Sequence, residues 1–237
     1  MTNLRRIFHY LLIGIFVPVM FSCSPEYIPN MANTPLFSEK GDLQANLAGG
    51  VSGTDVQLAY AVTDHVGLMA NGSFSDRTSD TTNDFHKHTL LEFAGGYYDR
   101  VGGHGRYEIF GGFGTGRIEG YWEDSPLDDP VSDARFLKLF IQPAVGLTSD
   151  FADASVGSRL LLVRTDYNED DPDAEAKIHP FFEPFITARL GFKYVKVVSQ
   201  LGLSVPIRED LPFDYQPLIF NVGLHFNINT LGGGNGN

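Results

Sequence analysis

The sequence has one cysteine, one tryptophan and few basic residues, with 17 Lys and Arg against 29 Asp and Glu in 237 residues. A single cysteine excludes an internal disulfide and any zinc site built from several thiolates. The net charge of −12 makes general nucleic-acid binding a poor fit, because that affinity rests on neutralising phosphates. Long apolar runs are scarce too. After one near the start, no other stretch of about 18 apolar residues follows, so no second helical membrane span is expected. Charged residues make up only 19% and hydrophobic ones 43%, a balance that argues against disorder through most of the chain. What is plentiful is Gly (26), Phe (19) and Tyr (10), a composition suited to many short strands.

The early apolar run covers residues 7–21 and follows Arg5 and Arg6. A basic pair, an apolar core and a small residue before the cut make a secretory signal. Cys23 directly follows Ser22, at the expected cut. This stretch resembles a bacterial lipoprotein signal, which implies removal of residues 1–22 and a covalent lipid on Cys23. A buried, unused Cys23 and an uncleaved anchor helix are the competing readings, and the run is short for a helical anchor. Cleavage removes Arg5 and Arg6 and no acid, leaving 15 basic and 29 acidic residues and a net charge of −14. Residues 24–41 hold three prolines and no periodicity. They read as a flexible linker, an extended tether between lipid and domain.

From residue 42 onward, hydrophobicity alternates with period 2. Leu218, Phe220, Val222, Leu224, Phe226 and Ile228 share one face of the last segment, against Ile219, Asn221, Gly223, His225, Asn227 and Asn229 on the other. The pattern predicts strands near 43–51, 54–63, 65–75, 88–99, 106–118, 135–148, 154–165, 181–193, 194–208 and 218–229. Short connections follow the second, fourth, sixth and eighth. Long polar ones follow the third, fifth, seventh and ninth, and only the brief turn after the first departs from this rhythm. Short turns at one end and long loops at the other are the layout of a membrane barrel. The expected fold is an all-β, antiparallel up-and-down transmembrane β-barrel over residues 42–229. About ten strands are expected, eight being the other count the pattern admits. A Gly- and Asn-rich tail over 230–237 reads as disordered. An even strand count puts the barrel's two chain ends on the same, periplasmic side.

The apolar faces of the last three strands carry no charge. That predicts an apolar exterior and a polar lumen, the inverse of a soluble barrel. The opposite faces then collect Glu92, Glu108 and Glu183 with Lys138, Arg159, Arg189 and Lys196. Such near-balance suits a mutually paired network, since unpaired buried charge is costly. A ten-strand barrel is narrow, so these side chains are expected to block most of the lumen. Tyr97, Tyr98, Tyr107, Tyr121, Trp122, Phe192 and Tyr194 fall where an interfacial aromatic girdle belongs.

The strand pattern, with residues 55–65, 213–217 and the aromatic final strand 221–228, resembles Gram-negative outer-membrane β-barrel proteins, in particular small-barrel lipoproteins. The resemblance covers residues 42–229. It implies a lipid-anchored protein of the cell outer membrane. Its implied partners are outer-membrane lipid, lipopolysaccharide, the barrel-assembly machinery and the lipoprotein-sorting machinery. It implies no cofactor beyond the lipid on Cys23.

Other constellations are weaker. His86 and His88 share a face of an extended chain near Asp84, but no third metal ligand is fixed by spacing. Residues 166–175 carry six carboxylates and residues 124–133 four, without EF-hand order, and read as solvated acidic loops. Ser73, His86, His88, Asp84 and His179 could form a hydrolytic rim site, yet no nucleophile motif ties them together. The glycines between 111 and 116 are no phosphate loop, because no helix pattern follows. The expected role is therefore structural or interactive at the cell surface, not catalytic. The alternatives are a narrow channel and a lipocalin-like periplasmic binder of an apolar ligand.

Overall fold

A computed structural model describes residue 25 and residues 27–78, 85–121, 131–167, 177–208, 211 and 215–228. Residues 1–24, with the expected signal and Cys23, together with Asp84, Trp122, most of the two acidic loops and the tail at 230–237, lie outside the described residues.

The fold is all-β, a closed antiparallel barrel of ten strands with one short extra strand. In chain order these are β1 (Leu43–Gly50), β2 (Gly53–Ala61), β3 (Val66–Thr78), β4 (Phe85–Val101), β5 (Gly105–Tyr121), β6 (Val131–Leu147), β7 (Ala152–Tyr167), β8 (Lys177–Gly191), β9 (Val195–Leu203), β10 (Val205–Pro206) and β11 (Leu218–Asn227). Each strand pairs with the next along the chain from β1 to β9. β11 then pairs with both β9 and β1 and closes the ring. The extra strand is a continuation of β9. Val205 faces Phe182 of β8 in the register that already pairs Gly202 with Phe185, interrupted at Leu203 and Ser204. Pro206 has no N–H for a ladder and fits only at such an end.

β4, β5 and β6 each run 17 residues, well past the sequence expectation toward the long loops. A membrane crossing takes only about 9–11 tilted residues. The extra length pairs polar stretches such as residues 117–121 with 131–135, where backbone ladders continue although the apolar alternation has stopped.

Alternation sets the two faces. Along β4 the burial pattern switches residue by residue from Thr89 to Ala94, with Leu91 and Phe93 outward and Glu92 inward. The tyrosines follow the same rule. Tyr97, Tyr107 and Tyr194 face outward, as a girdle requires. Tyr98 does not. It is 1% exposed, its hydroxyl donates to the Thr63 carbonyl at 2.6 Å, and its ring packs on Phe37. Two consecutive strand residues cannot share a face.

Residues 27–37 depart most from the expectation of an external tether. They are buried inside the barrel, threaded along its lumen. Pro29 and Pro35 hold the chain extended, and each also biases the residue before it toward extended backbone. Leu36 turns the lower end with a φ of 53°. The reason for burial is chemical. The segment is apolar and amide-rich, and the lumen side chains supply the hydrogen bonds its backbone needs.

Candidate functional site

The seven expected lumen charges, Glu92, Glu108, Lys138, Arg159, Glu183, Arg189 and Lys196, all point inward and are between 0% and 6% exposed. Six of them form two ion-paired groups rather than one, and Glu108 instead accepts from the Leu36 N–H. The first lies toward the long-loop end. Lys138 Nζ sits 2.5 Å from Glu92 Oε1, and Arg159 lies 3.6 Å from Glu92 and 4.0 Å from Glu183. The Arg159 guanidinium also covers the Phe140 ring at 5.2 Å. The second lies toward the short-turn end. There Lys196 meets Asp153 at 2.7 Å and Arg189 meets it at 3.9 Å. Asp153 was missed in the sequence. It shares the odd-numbered face of β7 with Arg159, so the parity was visible, but its place beside a turn hid it.

The threaded segment is wired into both groups. Asn30 Nδ2 donates to Glu92 Oε2 at 2.8 Å, and its Oδ1 accepts from Lys138 Nζ at 2.7 Å and from Arg159 at 3.1 Å. The Tyr27 hydroxyl donates to Glu183 Oε1 at 2.9 Å, and Ser204 donates to the same oxygen. Gln200 holds both ends of one residue: the Ala32 N–H donates to its Oε1 at 2.7 Å, and its Nε2 donates to the Ala32 carbonyl at 2.9 Å. Gln57 and Gln142 each donate to a backbone carbonyl, of Met31 and Asn33, at 2.7 Å. Lower down, the Leu36 N–H donates to Glu108 Oε2 at 2.8 Å and Arg189 donates to the Thr34 carbonyl at 2.5 Å.

Three glutamines therefore do for residues 31–33 what a neighbouring strand would do in a sheet. Each replaces water on a backbone group that would otherwise be buried unsatisfied, a loss of about 1–3 kcal/mol per group. Apolar contacts cap the segment at both ends. Tyr27 packs on Phe136 and Phe181, and Phe37 packs on Tyr98. Two glycines make room. A Cβ on Gly67 would meet the Phe37 ring at 2.5 Å, and one on Gly146 would meet Leu36 Cδ1 at 2.8 Å.

The rim histidines do come together. His86 Nε2 lies 3.1 Å from His88 Nδ1, and His88 Nε2 lies 3.5 Å from Ser73 Oγ. Ser73 is 1% exposed and stands beside Asp55, Ser52 and Asn221 in a packed polar cluster, so its hydroxyl is closed to a substrate. His179 lies on β8, away from this group, and Asp84 lies outside the described residues. Among the described residues, no cluster of three or more His, Cys, Asp or Glu side chains is arranged to hold a metal ion.

The outer surface is the reverse of the lumen. Leu47, Leu68, Phe93, Phe113, Leu139, Val156, Ile186, Val197 and Leu201 are between 45% and 56% exposed, part of a belt of more than thirty exposed large hydrophobic side chains. On β6 the belt runs from Leu137 to Leu147. Beyond it, toward the long loops, lies an ionic band. Arg117 donates to Asp133 at 2.7 Å and meets Glu119 at 3.1 Å. That guanidinium bond holds the Asp133 carboxyl below the usual carboxylate range.

No known protein family matches this chain. No curated protein is similar to it at a significant level.

Proposed function

We propose that this protein is an outer-membrane β-barrel, lipid-anchored through Cys23 and closed by its own N-terminal segment, with a structural or surface-interaction role. The observation that carries the reading is the inverted polarity of the barrel: a continuous apolar exterior around a charged, hydrogen-bonded interior. Monomeric soluble proteins rarely expose contiguous apolar patches above a few hundred Å². Burying one Val, Leu, Ile or Phe gains about 1.5–3 kcal/mol, so a belt of this extent needs an apolar surrounding. A hydrocarbon layer supplies it, and the closed ring leaves no backbone edge unpaired in that layer.

The packed lumen argues for a plug rather than a pore. A conducting path would have to displace residues 27–37, of which Tyr27, Asn30, Ala32, Thr34, Leu36 and Phe37 among others are held by lumen partners. The lipocalin-like alternative gains no support from this arrangement, because the apolar side chains that do face inward, such as Phe110, Phe136 and Phe181, are packed in one buried cluster with Tyr27 and Phe37 of the threaded segment.

The test is mobility on an SDS gel with and without boiling, run on separated outer and inner membranes. The expected result is an outer-membrane band that shifts on boiling. A protein released from membranes by Cys23→Ala, with no boiling shift, would overturn the membrane reading. Recordings from purified protein in a planar bilayer are expected to be silent, and steady unitary currents would restore the channel.

A further inference from the structure

We infer that the chain leaves the barrel upward, through its long-loop end, so that the lipid on Cys23 is seated in the outer leaflet of the membrane. This rests on the outer-membrane reading above and goes beyond it by fixing which leaflet holds the anchor.

The direction of threading is read from β6, which descends from the long-loop end at Val131 to the short-turn end at Leu147. As residue number rises along the plug, its partners descend the same strand. Tyr27 meets Phe136, Asn30 meets Lys138, Asn33 meets Gln142, and Leu36 lies against Gly146. β8 descends in the same sense and agrees. Tyr27 bonds Glu183, and Thr34 bonds Arg189 further down. Both ends are pinned independently. At the top, Tyr27 forms a parallel bridge with Tyr215, and its carbonyl accepts from Gln216 N–H at 2.9 Å, in the connection between β10 and β11. At the bottom, Ser38 N–H donates to Asp42 at 2.7 Å and Gly41 N–H to the Ala61 carbonyl at 2.8 Å, beside the β2–β3 turn. The chain thus comes down the lumen, turns between 38 and 42, and rises again as β1.

Chain reach does the rest. The ten steps from Tyr27 to Phe37 cover about 33–36 Å when extended, close to the thickness of a hydrocarbon core of about 30 Å. Cys23 precedes Tyr27 by four residues, a reach of about 14 Å at most. That does not return it to the short-turn side, and the lumen between is already filled. Long loops face outward in such barrels. The anchor and the first strand therefore start from opposite sides of the membrane.

The experiment uses the full chain with its own signal. A short epitope is inserted between Ser24 and Pro25, and in a second variant between Asp128 and Asp129 in the long loop after β5. Antibody binding is compared on intact and permeabilised cells. The expected result is equal signal before and after permeabilisation for both variants. A loop epitope seen on intact cells with an N-terminal epitope seen only after permeabilisation overturns the inference and leaves the membrane reading standing. Both epitopes hidden on intact cells would overturn the membrane orientation itself. If the N-terminal insertion abolishes the boiling shift, Glu26→Lys replaces it. Labelling of that lysine on intact cells by a membrane-impermeant amine reagent supports the inference, and protection until permeabilisation overturns it. Incorporation of radiolabelled palmitate, lost in Cys23→Ala, tests the lipid separately, and its absence would remove the anchor from the inference.

Discussion

Asn30 and Glu92 stand 62 residues apart in the chain and 2.8 Å apart in the lumen, amide to carboxylate. The same asparagine accepts from Lys138, which pairs with Glu92. A plug residue is thus the third member of a buried ion pair. The pair and the plug depend on each other, and the first consequences concern that dependence.

Removing one partner of a buried pair leaves the other uncompensated, at about 3–5 kcal/mol. Glu92→Gln is expected to lower unfolding stability by that order, and Lys138→Met by less, because Arg159 still faces Glu92 at 3.6 Å. The double variant Glu92→Gln with Lys138→Met is expected to lose much less than the sum. Urea titrations of detergent-refolded protein, read by the boiling shift, measure all three. Strict additivity would show that the two charges do not act as a unit.

Gln200→Leu removes both bonds to Ala32 and the bond to Thr187 at once. Orphaned backbone groups cost about 1–3 kcal/mol each. The expected outcome is a closed barrel with a loosened plug. Limited proteolysis of folded protein, followed by mass spectrometry, should show new cuts between residues 27 and 37 while the strands stay protected.

Gly67→Val places branched carbon where the Phe37 ring lies. The barrel wall there is continuous ladder, so the plug is the part free to yield. Phe37 is expected to leave its site, giving proteolysis like that of Gln200→Leu and raised bilayer conductance. A silent, protease-resistant Gly67→Val protein would mean that the plug repacks in place.

Arg117 and Asp133 provide the contrast, as an exposed pair above the apolar belt. Pairs of this kind contribute about 0.2–1 kcal/mol. The Asp133 carboxyl is held below its ordinary range, so its contribution is present above the unfolded carboxylate value. It is lost as pH falls through the lower folded value. Asp133→Asn is expected to cost little at pH 7 and nothing once the wild-type carboxyl is protonated, as paired unfolding curves at the two pH values would show.

Much of the fold was legible in the residues. Period-2 alternation in stretches such as 218–228 is a local steric fact: successive side chains point to opposite faces whatever surrounds them. It delivered ten strands, the two faces, and the inward direction of Glu92, Arg159 and Lys196. Strand ends were less legible, because residues such as Arg117 and Asp133 continue a backbone ladder without any apolar pattern to mark it. The course of residues 27–37 was not legible at all. Prolines and missing periodicity describe an extended chain equally well inside a barrel or outside one. What decided it was a set of long-range bonds, from Gln200 to Ala32, from Glu108 to Leu36 and from Asn30 to Lys138. Those exist only once the ring has closed and excluded water. Sequence fixes which way each strand residue faces, since that follows from local geometry; the content of the lumen follows from contacts between residues far apart, and only the tertiary structure brings them within reach.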